Sequence, residues 1–468
     1  MATTRDDVRK HASRESCWVI VDGSAYDVTS FLDSHPGGAS AILKYAGKDA
    51  TAAFKPIHAA DTLDKHLKTE QKLGLVIDAQ EEPSASPQDI VAARQKKVPL
   101  RSIISLLDFE VAASKLLDPK AFAFYRSGAD DEFTFQWNRS SWKYVRFRPR
   151  ILRPLPRGVD TSSSIFGIKS SVPFFICPAG GGKYAHPEGE IHMTRAAARQ
   201  HVIQWVSNAA GCSQEELAEV RAPGQPIFWQ IYAVKDLAVT EAEVRRAVEL
   251  GYKAFCFTVD AIVMGNRERD ARLSGQELME EPTMDDDDTL TEGGISATRL
   301  SLHPGFDWLS VIKWLRSLTD LPIAIKGIQT WEDAKLCAEQ PGIHPWLSNH
   351  GGRQLNGAPS AVDTLLEMRT HCPEVFSKCE VIVDGGVTRG TDVVKALCLG
   401  ATAVGIGRPF LYALAYGEKG VTRAIKILKN EVETTMALLG VSRVEDFNTS
   451  YVDAMALRSS YGHFRARL

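Results

Sequence analysis

Eight short apolar runs, each followed by a longer amphipathic segment, predict an α/β protein built on a TIM-type (β/α)8 barrel. Polar residues recur at the C-terminal ends of these runs (Tyr232, Asp260, Lys326, His350, Asp384, Arg408), and in such a barrel those ends share one face. The first 77 residues lack this rhythm, so a small α+β unit is expected ahead of the barrel.

In residues 1–77 the segment CWVIVDGSAYDV (17–28) alternates around Asp22-Gly23, a hairpin signature, and short helical stretches follow. Residues 78–98 are Pro/Ser-rich and charged, and read as a linker. Residues 99–468 carry the barrel. Its strands are expected within 172–179, 202–207, 226–233, 254–261, 321–328, 344–351, 381–387 and 402–407. A doubly wound open sheet is the alternative, but no G-x-G-x-x-G follows the first strand. Pro345 opens the sixth run, where an interior strand normally avoids proline. The acidic stretch 274–296 reads as a loop over the barrel mouth.

Composition narrows the function class. The 468 residues carry 55 Lys+Arg against 58 Asp+Glu, a net charge of −3 that gives no push toward nucleic acid. No apolar run approaches the roughly 20 residues of a membrane span. The eight cysteines form no CxxC pair and read as reduced thiols. A soluble intracellular protein, cytoplasmic first, is expected. The ending Ala466-Arg467-Leu468 is similar to a peroxisomal address, and a mitochondrial location would need a presequence ahead of this chain.

His35-Pro36-Gly37-Gly38 sets a histidine before a rigid proline and two permissive glycines, and His58 follows 23 residues later. These residues alone leave two readings open: two axial ligands of one haem iron, or a surface turn and an unrelated histidine. With CWVIVDGSAYDVTSFL before it and AGKDAT-AF-IH after it, the HPGG turn resembles a cytochrome b5-type haem domain over residues 4–77. The resemblance implies haem b held by His35 and His58. Two strong-field ligands leave no open position, so such a haem passes electrons.

In the barrel, Ser348-Asn349-His350-Gly351-Gly352-Arg353-Gln354 offers a base beside a cation, although a purely structural His–Arg pair fits the residues equally well. Asp384-Gly385-Gly386 and Gly405-Ile406-Gly407-Arg408 end the last two runs, where barrels commonly bind phosphate. Lys326 is a charge inside an apolar strand, which structural pairing with an acid would also explain.

SNHGGRQ, DGGVTRGTDV (384–393) and GIGRPFLYA (405–413), together with FYRSGADDE (124–132), AHPEGE (185–190), QIY, TVDA and IKGI, resemble the FMN-dependent 2-hydroxy acid oxidases and dehydrogenases. With the haem-type unit in front, the chain resembles the flavocytochrome L-lactate dehydrogenases. That resemblance implies oxidation of an L-2-hydroxy acid, L-lactate first, at FMN. Electrons then pass through haem b to cytochrome c or another one-electron acceptor, in a homotetramer. An oxidase that forms peroxide and a non-catalytic electron carrier are the alternatives.

The resemblance makes His350 the base and Asp260 its partner, an ion pair expected to raise the imidazole pKa. Arg353 would clamp the substrate carboxylate, Tyr232 would bond the substrate hydroxyl, and Arg267 would be a second cation there. Lys326 would stabilise negative charge on the flavin edge. Pro178, Ala179, Gly180, Ser207, Gln230, Thr258 and Ser348 would surround the flavin ring. Asp384, Gly385, Gly386, Arg389, Gly407 and Arg408 would serve its ribityl chain and phosphate.

Three departures stand out. Phe124 takes the place of a tyrosine whose hydroxyl meets the substrate carboxylate. Ala209 is small where a bulky residue is common, and Gly181-Gly182 are expected to thin the adjacent wall. Thr388 stands in place of an arginine, which is expected to leave Arg389 more of the phosphate charge.

Overall fold

In the computed structural model the described residues are 3–35, 38–59, 61–76, 97–278, 303 and 305–457. The expected acidic loop beyond residue 278, nearly all of the expected linker, the C-terminal tripeptide, Pro36 and Gly37 lie outside them.

The N-terminal unit is a three-stranded antiparallel sheet of β1 (Trp18–Val21), β2 (Ser24–Asp27) and β3 (Lys72–Leu75). β1 and β2 form the expected hairpin. Asp22 and Gly23 both take positive φ (50° and 71°), the pairing that a two-residue turn needs to match strand twist. Short helices Ala39–Leu43, Thr51–Phe54 and Thr62–His66 lie between β2 and β3. Cys17, Val19, Val21, Val28, Leu32 and Leu67 give this unit a core of its own.

The eight predicted runs all become strands of one closed parallel barrel: β4 (Phe174–Ile176), β5 (Gln204–Ser207), β6 (Ile227–Ile231), β7 (Phe255–Thr258), β8 (Ile323–Ile328), β9 (Ile343–Leu347), β10 (Ile382–Asp384) and β11 (Ala403–Ile406). Each pairs with its sequence neighbour, and β11 closes on β4 through Val404–Phe174. Both faces of these strands are buried, which is why they read as near-continuous apolar runs and not as alternating ones. The barrel interior is filled by Phe175, Trp205 and Trp346, with the Trp346 ring meeting each of the other two edge-on about 5 Å away, and by Phe228, Cys256 and Ile382. A hairpin of Ser163–Ile165 and Ile168–Ser170, which the sequence rhythm did not announce, caps the N-terminal end by packing Phe166 on Trp205 and Phe228.

Two expectations change. Pro345 lies inside β9 and not at its start: it pairs with Ile325 on one side, and the ladder to β10 begins only at Trp346. An interior proline is tolerated here because pairing on its second side starts one residue later. The expected mouth loop begins as helix, since Glu268–Leu278 takes in its first five residues. All eight cysteines are free thiols and seven are buried. No helix among the described residues is long and apolar enough to cross a membrane.

Candidate functional site

Ser207, Thr258 and Asp384 are the last residues of their strands, Gln230 is the last but one, and Tyr232 and Ser348 come one residue after theirs. The barrel therefore gathers them at one mouth. β8 reaches this face through a bulge between Lys326 and Ile328. Gly327 takes φ +117°, and a Cβ there would lie 2.8 Å from the Asp260 Cβ. Only glycine lets β8 bend while the Asp260 loop approaches this closely.

His350 and Asp260 are joined. The His350 Nδ1 lies 2.9 Å from Asp260 Oδ1, in a pair whose side chains are 23% and 1% exposed. A carboxylate only accepts, so Nδ1 carries the proton and Nε2 keeps its lone pair. His350 itself sits in the left-handed region at φ +58°, followed by Gly351 and Gly352 at +66° and +76°, which turns its ring back over the mouth. The expected rise in its pKa is corrected. Burial pushes the imidazole below its ordinary value, and Lys326 adds to this, so that together they outweigh the raising effect of Asp260. Burial disfavours the Asp260 carboxylate, but His350 and Lys326 hold it below its usual range. The resting pair is thus a neutral base on an ionised carboxylate.

Lys326 extends into the barrel, with Nζ 3.1 Å from Ser348 Oγ and 3.7 Å from Asp384 Oδ2. Burial opposes its charge, yet Asp384 and Asp260 hold the ammonium well above its ordinary value. Asp384 also accepts from Trp346 Nε1 at 2.9 Å and Ser348 Oγ at 2.7 Å. It therefore faces inward as the counter-ion of Lys326, and pairing with an acid accounts for the buried charge.

Arg353 donates through Nη1 alone, to the carbonyls of Phe124 (2.6 Å) and Ser127 (3.1 Å), and its Cζ lies 5.1 Å from the Phe124 ring centre. Among the described residues Nη2 and Nε carry no bond, which leaves one edge of the fork open to an anion. Arg267 is 6% exposed and lies beside it, bonding Arg353 O and Gln354. Burial lowers Arg267 to about 10 and pushes Arg353 well down, with each cation made less favourable by its cationic neighbours. A buried cluster of this kind is stabilised by an incoming carboxylate. Burial pushes the Tyr232 phenol up to about 12, so it stays protonated and can donate.

Around these groups, Gln230 donates to Thr258 at 2.9 Å, and Pro178, Ala179 and Gly180 follow β4 with Gly180 against Ala209. Asn208 Oδ1 and Asp260 Oδ2 are buried without a hydrogen-bond partner among the described residues. Gly385 and Gly386 take φ of 99° and 73° at the end of β10. Unspent polar atoms, a buried ammonium and the uncrowded backbone at Gly407, where a Cβ would meet only Cys177 at 3.8 Å, fit a flat, polar, anionic cofactor such as FMN.

Several assignments do not hold as expected. Arg389 points away from the mouth: it is exposed and pairs with Glu431 at 2.8 Å. Arg408 is anchored by one N–H each from Nε, Nη1 and Nη2 on three backbone carbonyls, those of Tyr125, Gly351 and Ser127. The wall at Gly181-Gly182 is not thin. A Cβ on Gly181 would meet Tyr184 at 2.9 Å and Phe124 at 3.3 Å, and one on Gly182 would meet Glu190 at 2.7 Å. Ala209 itself is exposed.

The sequence reading missed three supports. Asn349 and Asn138 exchange two 2.8 Å hydrogen bonds and lock the His350 loop to the helix Phe133–Ser141. Glu132 holds Arg269 through 2.9 and 2.7 Å bonds and caps Gly128 N–H. Asp270, 1% exposed, follows Arg267 by one helical turn, a spacing the sequence did display.

In the N-terminal unit His35 and His58 face each other with ring centres 6.1 Å apart. Each Nδ1 lies 3.1 Å from a backbone carbonyl, of Gly38 and Phe54 respectively, so each Nε2 is left as a ligand. Two imidazole–metal bonds of about 2 Å plus the two ring radii span roughly this distance. Burial lowers His58 to about 4 and His35 in the same direction, which keeps both neutral, as ligation needs. The pair fits a haem iron between them.

Residues 113–454 match the FMN-dependent dehydrogenases, and residues 4–77 match the cytochrome b5-like haem/steroid binding domain. The L-lactate dehydrogenase (cytochrome) of Wickerhamomyces anomalus is 41% identical over 463 residues, 97% of this chain and 80% of that protein. The enzyme of the same name from Saccharomyces cerevisiae is 38% identical over 477 residues, with the same coverage of 97% and 80%. Among solved structures, the recombinant flavin-binding domain of baker's yeast flavocytochrome b2 aligns with TM-score 0.71 at 38% identity, over 80% of this chain and 93% of that one.

Proposed function

This chain belongs to the FMN-dependent dehydrogenases and carries a cytochrome b5-like haem-binding domain ahead of its barrel, and on that footing we propose that it oxidises L-lactate to the 2-oxo acid and passes the electrons through haem b to cytochrome c. Its cofactors are FMN and haem b. FMN, when bound, accepts two electrons from the substrate; haem b relays them singly.

The observation that carries the reading is the His350–Asp260 pair beside the open edge of Arg353. Arg353 binds the substrate carboxylate bidentately through Nε and Nη2, with Arg267 as the second cation. Tyr232 donates to the substrate hydroxyl. His350 Nε2 takes the substrate proton, and ionised Asp260 stabilises the imidazolium that results. Lys326 offsets negative charge at the flavin edge, held in place by Asp384 and Ser348. Ser207, Gln230, Thr258 and the backbone of 178–180 surround the ring, and Gly385, Gly386 and Gly407 offer backbone to the phosphate.

Mixing the holoenzyme with L-lactate tests this: the haem spectrum turns ferrous and cytochrome c is then reduced. Peroxide formation with ferric haem would establish the oxidase alternative. The proposed homotetramer is checked by sedimentation.

The acid limb of kcat/KM reports the free base and is expected below the ordinary histidine value of about 6.5, because burial lowers His350. Asp260→Asn removes the neighbouring charge that raises this pKa. The limb then moves further down while kcat/KM falls at every pH. A limb that rises or stays in place contradicts the assignment.

Phe124→Tyr restores a hydroxyl at the ring stacked beside Arg353. A hydrogen bond to a charged group contributes about 1.5–3 kcal/mol, so kcat/KM for lactate improves roughly tenfold. The gain is smaller for a larger acid such as phenyllactate, which burial beside Ala209 already favours. A wild-type preference for lactate above tenfold over every larger acid would remove the argument for a roomier pocket.

A further inference from the structure

Gly211, two residues past Ala209 in the loop after β5, is glycine for no backbone reason, since its φ is not positive. Space explains it. A Cβ there would lie 2.8 Å from Cγ and Cδ of Lys183 and 3.0 Å from the carbonyl oxygen of Pro56, a residue of the haem-binding unit. The Lys183 stem runs between Gly211 and Gly189, where a Cβ would again meet it at 2.9 Å. Pro56 lies two residues before the haem ligand His58. Just past this loop, in the first turn of the helix Gln214–Val220, Glu215 Oε2 is buried with no hydrogen-bond partner among the described residues, and Lys65 of the haem unit stands 3.6 Å from it. The other Glu215 oxygen is held by Arg246 at 2.7 Å, which fixes the carboxylate toward Lys65. Lys65 is also tethered by Asp61 at 2.8 Å on its own helix.

We propose that the segment Gly211–Glu215, with Lys183 laid across it, is the docking seat that holds the haem unit against the barrel, and that Gly211 and Glu215 are positioning residues for electron passage from barrel to haem. The inference rests on the function proposed above. Each turnover removes two electrons and two protons from the hydroxy acid, and the electrons cross one at a time, each converting ferric to ferrous haem. Electron passage depends on how closely the haem unit sits, so the seat sets that rate. None of its residues touches the reacting atoms, so oxidation of the acid is left alone. The seat is small and partly polar, which suits a contact that holds one unit in register with the other.

The test uses the full-length holoenzyme in rapid mixing with L-lactate, reading flavin bleaching and haem reduction separately. Gly211→Val is expected to slow haem reduction at least fivefold and leave flavin bleaching within twofold. Lys65→Glu is expected to slow haem reduction in the same way, and adding Glu215→Lys to restore it to within threefold of wild type. As a readout apart from turnover, amide exchange in 54–58 and 211–215 of the resting holoenzyme rises in Gly211→Val and Lys65→Glu and is recovered in the charge-swapped pair. Haem reduction and exchange unchanged in both single variants overturn the proposal. So does an equal slowing of flavin bleaching and haem reduction, which marks a barrel packing defect. If Gly211→Val does not fold, the charge-swap series alone decides. Wild-type flavin that fails to bleach with lactate refutes the proposed substrate and leaves the exchange comparison to judge the seat.

Discussion

His350→Gln is expected to retain FMN and to lose flavin reduction by lactate by about 10²–10⁴-fold, the usual contribution of a positioned base. The substitution is nearly isosteric. A glutamine amide can still donate to Asp260, so the buried carboxylate keeps a partner and the fold is not charged the cost of an orphaned ion. The backbone N–H of residue 350 still reaches Ser348 Oγ, bonded at 3.1 Å in the parent. What disappears is the lone pair at Nε2, because an amide does not accept a proton near neutral pH. Substrate affinity should change little, since the carboxylate is held by Arg353 and Arg267. The deficit therefore falls on kcat more than on KM. Retention of more than about a tenth of wild-type flavin reduction would falsify the role of His350. The flavin absorbance of the purified variant, read before mixing, separates lost chemistry from lost cofactor.

Most of the barrel was legible because parallel strands buried on both faces leave uninterrupted apolar runs: all eight runs are strands, and only the sixth, Ile343–Leu347, begins a residue ahead of its expected span. The hairpin at 163–170 was not legible: two three-residue strands are too short to show a period, and its role as a plug depends on Phe166 meeting Trp205 across the fold. Pro345 misled in position because sequence does not show on which side a strand pairs first. In the site, the residue types at the strand ends were legible as chemistry. Side-chain direction was not, and Arg389 and Asp384 show the difference. Arg389 follows its glycine turn as a phosphate ligand would, yet leaves the mouth for Glu431. Asp384 turns inward to balance Lys326. The pKa of His350 failed for a related reason: sequence announces the Asp260 partner but not the degree of burial or the Lys326 charge that outweigh it. Asn138 and Asn349, 211 residues apart, carry no local signal of their reciprocal bond.

His58→Ala is expected to strip the protein of haem, leave FMN in place, and lower lactate-dependent reduction of cytochrome c by more than about 100-fold. The iron loses one of two imidazoles whose rings stand 6.1 Å apart, and the neighbouring Phe54 ring, stacked on His58 at 4.3 Å, cannot ligate in its place. FMN stays because the two units have separate cores. Val19, Val21 and Leu32 pack within the N-terminal unit, whereas the flavin-side residues rest on Phe175, Trp205 and Trp346 inside the barrel. The units meet at Pro56 and Lys65, which belong to neither core, so a loosened haem unit gives the barrel little reason to unfold. Flavin reduction by lactate should therefore remain within about twofold of wild type, because His350 and Arg353 are untouched. Ferricyanide, which takes electrons from the flavin directly, should still be reduced while cytochrome c is not. His35→Ala is expected to match it. Loss of both cofactors together, or cytochrome c reduction that survives without haem, would show that the electrons leave by another route.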